Sequence, residues 1–290
     1  MKKIILFILL TTILQTTQAS TECTTTEVMN IKNQTSSSLS EKQQQFKMFS
    51  RQCRQYKRVA SAALADLYFS QQNYPYAKKY FKKAFQTQAG VNPINNDEMQ
   101  AKYALTLQHL NIQHLKSRNI FLELRDKYSN TLPKNINALY ADYIINQSRQ
   151  TTSQDLILAA LSSTKSYRNL VICPSINVTI NFAYNSDEIN ANSRTQIQAI
   201  RDALMDTKLA SLGYQYELIG HTDKRGDASY NQRLSEKRAQ AVKTALIKLE
   251  PTLASRLSAQ GKGETELELQ GNTEEIHQVN RRVQIRVACD

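Results

Sequence analysis

Residues 214–249 limit what this chain can fold into more than any other stretch. Residues 214–219 (YQYELI) read as a strand, and Gly220 ends it. Residues 221–227 form a polar loop, and apolar periodicity then predicts a helix over 228–249. A strand that passes through a loop into a helix is a unit of a layered α/β fold. Asn231 and Arg238 are seven residues apart and share one face of that helix. Leu234 lies on the same stripe and is expected to tie it to the core. Asp223 follows the carboxyl end of the strand, where open α/β sheets bind ligands. A carboxylate and a guanidinium facing one crevice suit a ligand with an ammonium and a carboxylate together, such as an amino-acid end group.

The flanking sequence extends the pattern. Residues 178–182 (VTINF) alternate as a strand does, 185–188 read as a loop, and 189–207 as a helix with Ile197, Ile200 and Leu204 on one face. Pro251 closes the long helix, residues 256–260 read as a third strand, and Gly261 and Gly263 as a turn. In the last predicted strand, 282–287, Val283, Ile285 and Val287 point one way, and Arg282, Gln284 and Arg286 the other. Residues 165–170 read as a short polar link.

In order along the chain stand Ile180-Asn181-Phe182, Asn185-Ser186, Gly220-His221-Thr222-Asp223, Asn231, Leu234-Ser235, Arg238-Ala239, Arg256-Leu257, Gly261-Lys262-Gly263-Glu264 and Asn280-Arg281-Arg282-Val283. This ordered set, over roughly residues 172–288, resembles the OmpA-like peptidoglycan-binding domain that is also found in Pal lipoproteins and MotB stators. The resemblance implies that Asp223 and Arg238 hold the diaminopimelate of the peptidoglycan stem peptide, the ammonium on Asp223 and the carboxylate on Arg238. It places Asn185 on a loop lining the same pocket, while Thr222 and Asn231 can add neutral hydrogen bonds. One of Arg281 and Arg282 is expected to support the pocket loop, with a salt bridge to the sheet edge as the alternative. The chain departs from the family where Glu275-Ile276-His277 replaces the usual Glu-Gly-Arg, and where Leu267 stands near the expected proline. Both departures fall on the rim and leave the two charged anchors in place.

The first residues read as an export signal. Lys2 and Lys3 precede an apolar run over 4–14 and then Thr17-Gln18-Ala19, so cleavage after Ala19 is expected. The residues before Cys23 are not those of a lipidation site. Loss of the two signal lysines takes the formal charge from +12 to +10. From residue 171 onward, 15 Lys and Arg are balanced by 15 Asp and Glu, so the whole excess lies in residues 20–170. That excess suits an acidic protein partner or an anionic membrane surface, or is simply a solvated basic face. An exported chain is not expected to bind nucleic acid. Four cysteines in such a chain invite pairing, and three connectivities are open. Cys173 and Cys289 flank the first and last predicted strands of the second half and could staple them, which would leave Cys23 to Cys53.

Residues 20–57 are polar, expected to be poorly ordered at their start, with a helix predicted over 40–56. Leu64, Ala65, Tyr68, Tyr74, Ala77, Phe81 and Ala84 then fall at the spacing of a helical hairpin, small residues against large. Residues 61–94 resemble one tetratricopeptide repeat. Because one repeat cannot bury its faces, neighbours are expected, and helices are predicted over 98–113, 114–127, 136–147 and 155–162. Tyr76, Tyr80 and Tyr103 read as packing residues rather than a ligand cage.

The chain is therefore read as a signal peptide (1–19), the polar segment (20–57), an all-α, tetratricopeptide-like helical domain (58–165) and an α/β, OmpA-like domain (171–290). The resemblance implies a non-enzymatic periplasmic tether, within reach of the outer membrane, that binds peptidoglycan through the second domain and an unidentified envelope protein through the helices. The alternative is an assembly factor of a secretion, pilus or motility apparatus. A wall hydrolase fares poorly: the four histidines form no His-Glu-x-x-His and no nucleophile elbow is present. No cofactor or metal is expected.

Overall fold

The computed structural model describes residues 23–86, 96–162, 165–167, 170–182 and 186–288. The expected signal, the end of the expected repeat around Pro93, Asn185 and Cys289 lie outside the described residues. The chain forms two compact units, 1–112 and 113–290. No helix among the described residues is long and apolar enough to cross a membrane.

The first unit is helical. It contains α1 (Thr25–Asn33), α2 (Leu39–Gln52), α3 (Lys57–Ser70), α4 (Tyr74–Phe85) and α5 (Asp97–His109). The segment expected to be poorly ordered at its start instead holds α1, capped by Thr24, with Val28 and Ile31 buried. Two long-range ties explain it: a Cys23–Cys53 disulfide, and Lys32 bound to Asp66 of α3. A capping box between Ser38 and Glu41 starts α2. The α3–α4 hairpin turns through Gln72, whose φ is +56°. Ala65, Ala77 and Ala84 are fully buried, which lets the helices approach while Tyr68 and Phe81 fill the space between. Buried Arg58 ties the two together, its Nε donating to the Ala84 carbonyl at 2.9 Å. Tyr80 and Tyr103 are packing residues as expected, but Tyr76 is 45% exposed.

The second unit begins with α6 (His114–Lys127), α7 (Lys134–Ser148) and α8 (Gln154–Leu161). A hairpin of β1 (Lys165–Tyr167) and β2 (Leu170–Ile172) stands where a polar link was expected. Then come β3 (Ser175–Val178), α9 (Arg194–Met205), α10 (Thr207–Ala210), β4 (Tyr216–Gly220), α11 (Ala228–Leu249), β5 (Leu257–Gly261), α12 (Glu274–Asn280) and β6 (Val283–Val287). The sheet order is β3-β6-β4-β5, with β4 and β5 parallel and the other pairs antiparallel. This is the predicted α/β architecture. Val283, Ile285 and Val287 point into a core shared with Leu218, Ile200 and Leu204 of α9, and Val242 and Leu246 of α11.

Ile157, Ala160 and Leu161 of α8 belong to that same core. The helices α6–α8 thus pack with the sheet. Their joint is ionic as well as apolar. Glu268, in the segment after β5, bonds to Arg125 of α6, Tyr140 of α7 and Asn177 of β3, with Arg282 at 3.6 Å. Burial alone would raise its pKa, but the Arg282 and Arg125 charges outweigh that and hold the carboxyl ionised.

Candidate functional site

Two glycines set where α11 sits. A Cβ on Gly220 would lie 2.1 Å from the Ser235 carbonyl oxygen, and one on Gly261 would lie 2.4 Å from Ser235 Oγ. With hydrogens there instead, α11 packs directly on the carboxyl ends of the parallel pair β4 and β5. Ser235, fully buried, anchors the contact: its Oγ accepts from the Gly263 amide at 2.9 Å and donates to the Gln232 carbonyl. Leu234, expected to be the anchor, is only half-buried because it sits beside the contact rather than in it.

The loop after β4 is pinned by its own backbone. The His221 amide donates to the Arg282 carbonyl and the Thr222 amide to Gly263. Asp223 is 7% exposed and heavily coordinated. One carboxylate oxygen accepts from the Arg225 amide (3.0 Å) and Nε (3.1 Å); the other accepts from Arg225 Nη2 (2.9 Å) and Arg281 Nη1 (2.7 Å). Glu274 holds both arginines from the outside. Burial alone would raise the Asp223 pKa, but these hydrogen bonds outweigh it and hold the carboxyl far below the usual range. Arg281 is thus the arginine on the pocket loop. Arg282 faces Glu268 instead.

Arg238 is 8% exposed. Its guanidinium stacks over the Phe182 ring at 4.9 Å, and Nε donates to the Ser186 carbonyl at 3.1 Å. Among the described residues it has no carboxylate in salt-bridge range. Burial, then the Arg281 charge, lowers its pKa, while Asp223 acts on it in the opposite sense. Asn231, one face with Arg238 as predicted, is buried. Its amide nitrogen donates to Glu264 (2.6 Å), the Arg225 carbonyl (3.0 Å) and the Asp223 carbonyl (3.4 Å). Asn231 therefore braces the Asp223 loop against the glycine turn, and its donors are committed. The Thr222 hydroxyl is buried without a partner among the described residues. Asn185 lies outside the described residues, next to Ser186.

A family model aligns with residues 181–281, a span that holds all these side chains. This segment is an OmpA family domain. The chain is similar to "Outer membrane porin F" of Pseudomonas fluorescens, 31% identical over 112 residues, which are 39% of this chain and 33% of that protein. It is 33% identical over 109 residues to "Outer-membrane lipoprotein YfiB" of Pseudomonas aeruginosa, 38% of this chain and 62% of that one. The chain thus spans about a third of the first relative and about three fifths of the second. Among solved structures it is similar to the peptidoglycan-associated lipoprotein from Burkholderia pseudomallei, with 25% identity, 38% of this chain and 88% of that chain covered, and a TM-score of 0.33.

Sequence reasoning missed Arg225, Glu274 and the Phe182 platform. Arg225 lies two residues from Asp223 and was within reach as a local partner. Glu274 is 49 residues from Arg225, a pairing that only the fold creates.

Proposed function

We propose that the OmpA family domain tethers this protein to the cell wall in the periplasm, without enzymatic activity, by binding the diaminopimelate of peptidoglycan stem peptides. Its relatives' names, an outer membrane porin and an outer-membrane lipoprotein, support the envelope setting. The observation that carries the proposal is Arg238: a buried guanidinium, stacked on Phe182, with no carboxylate in salt-bridge range among the described residues, near an ionised Asp223. A buried charge of that kind favours an anionic ligand group.

In this reading the ligand carboxylate pairs with Arg238 and its ammonium with Asp223. The ammonium must take the place of Arg225, whose side chain is 53% exposed and can move into solvent. Arg281, held by Glu274, stays and fixes the carboxylate's direction. The Thr222 hydroxyl, which has no partner among the described residues, can bond the ligand. Asn185 contributes from the loop beside Ser186. The helical repeats of the first part engage a protein partner in the envelope.

Sedimentation with purified peptidoglycan tests the site. Asp223→Ala or Arg238→Ala should each weaken retention, because a ligand charge left unpaired costs about 2–5 kcal/mol. Walls whose stem carries lysine in place of diaminopimelate lack the second carboxylate and should bind as weakly as Arg238→Ala does. Full retention of both variants would overturn the pocket, and release of soluble muropeptides would overturn the non-enzymatic reading.

A further inference from the structure

We propose that the lysine-bearing face of α4 docks an acidic helical segment of a partner protein. This deepens the partner-binding reading of the helical region and rests on it. Lys78, Lys79, Lys82 and Lys83 lie opposite the buried face of α4 formed by Ala77, Tyr80, Phe81 and Ala84. Among the described residues none of the four has a carboxylate in salt-bridge range. Three acids of this unit are used elsewhere: Asp66 holds Lys32 and Lys102, Glu98 holds Lys102, and Glu41 closes its capping box. Lys78 with Lys82, and Lys79 with Lys83, are like-charge pairs one turn apart, an arrangement that destabilises the helix bearing it. Lys82 and Lys83 sit in the last turn, where the helix dipole favours cations, but Lys78 and Lys79 do not, so the stability of α4 does not account for the whole face.

Two of the lysines, Lys79 and Lys83, are also held over aromatic rings. Tyr76 stacks on Tyr68 at 5.0 Å, and Tyr68 on Tyr80 at 5.5 Å. Lys79 lies over Tyr76 and Tyr80, and Lys83 over Tyr80, between 5.3 and 5.9 Å from the ring centres. Gln43 of α2 bonds both the Tyr68 and Tyr80 hydroxyls, so α2 borders the aromatic plate. Exposed Lys47 follows one turn beyond Gln43. Two rows of ammonium groups about 6 Å apart along the axis match glutamates spaced four residues apart on a partner helix, which advance by the same rise. Tyr76, 45% exposed at the edge of the rows, offers an aromatic surface to its apolar side. Attraction to an anionic membrane needs only net charge near the surface. Cations held in register over tyrosines favour fixed carboxylates instead.

Fluorescence anisotropy on the mature chain tests the face. The probe is a labelled alanine-based helical peptide with a glutamate at every fourth position; the control has lysine there. Saturable binding of the glutamate peptide alone is expected. Lys79→Glu with Lys83→Glu should weaken it about tenfold or more, and Lys78→Glu with Lys82→Glu likewise, with circular dichroism unchanged. Equal binding by wild type and both folded variants would overturn the proposal. So would binding to phosphatidylglycerol vesicles without binding to the peptide. Envelope co-purification separates the two levels. A partner kept by the charge-reversed chains removes the acidic-helix assignment and leaves partner binding standing. If wild type and variants alike keep no partner, both fall.

Discussion

At the scale of single residues, the fold has already committed Asp223 to Arg225 and Arg281, while Arg238 has no carboxylate in salt-bridge range among the described residues. His221, two residues before Asp223, is 2% exposed, and among the described residues only the Gln284 side chain approaches its ring as a hydrogen-bonding group. Burial, reinforced by the Arg282 charge, lowers its pKa to about 3, so it is neutral in the folded protein. Below the unfolded value of roughly 6.5, the unfolded chain takes up a proton that the folded one refuses. Stability should therefore fall with decreasing pH, by up to about 1.4 kcal/mol per pH unit from this residue, with no contribution above pH 7. Urea unfolding of wild type and His221→Phe at pH 7, 6 and 5 checks this: the variant should show the shallower pH dependence. Asp223 acts in the same direction but in a more acidic window, because its folded pKa also lies below its unfolded value. Its depressed pKa gives stability that is complete above the unfolded carboxyl value and is lost only in strong acid. Wall retention should accordingly not fall between pH 7 and 5 through titration of Asp223.

At the scale of elements, the contact between α11 and the parallel strands decides the site. Gly220→Ala would force a methyl group to within 2.1 Å of a backbone oxygen, and backbone cannot yield as a side-chain tip can. The substitution should cost about 3 kcal/mol and lower wall binding together with the thermal midpoint, whereas Arg238→Ala should lower binding more than stability. Much of this layer was legible in the sequence. Helices α6 and α11 begin and end where periodicity predicts, and β6 carries its alternation openly, whereas the strand read over 178–182 lies at Ser175–Val178 and shares only Val178 with that reading. Three elements were not legible. Helix α1 has only two buried apolar residues and is held by ties that span 30 and 34 positions. The β1–β2 hairpin has three residues per strand, too few for a period to show. Helix α12 is seven residues long, although Thr273 followed by Glu274 and Glu275 is a capping signal that could have disclosed it. The Asp223 and Arg238 positions came from a family pattern; of the arginines that occupy Asp223, Arg225 is a local neighbour, and Arg281, 58 residues away, is brought in only by the fold.

At the scale of the whole chain, the second unit reaches back to residue 113. Residues 113–290 should unfold as one cooperative step. Residues 171–290 alone would expose the core face that Ile157, Ala160 and Leu161 cover, and strip Glu268 of Arg125 and Tyr140. Removing a partner from a buried ion pair costs about 3–5 kcal/mol, so urea midpoints of the two fragments should differ clearly. The first unit depends on a covalent tie of another kind. Cys23 and Cys53 close a loop with a sequence separation of 30, and closure of such a loop contributes about 3–4 kcal/mol. Dithiothreitol should lower its melting temperature, and Cys23→Ser with Cys53→Ser should reproduce the loss. Recombinant material made in an ordinary bacterial cytosol would therefore lack this bridge, and α1 would be the first part of it to succumb to a protease. Protein for binding work is better secreted by the expression host, or oxidised after purification, before its helices are offered to anything.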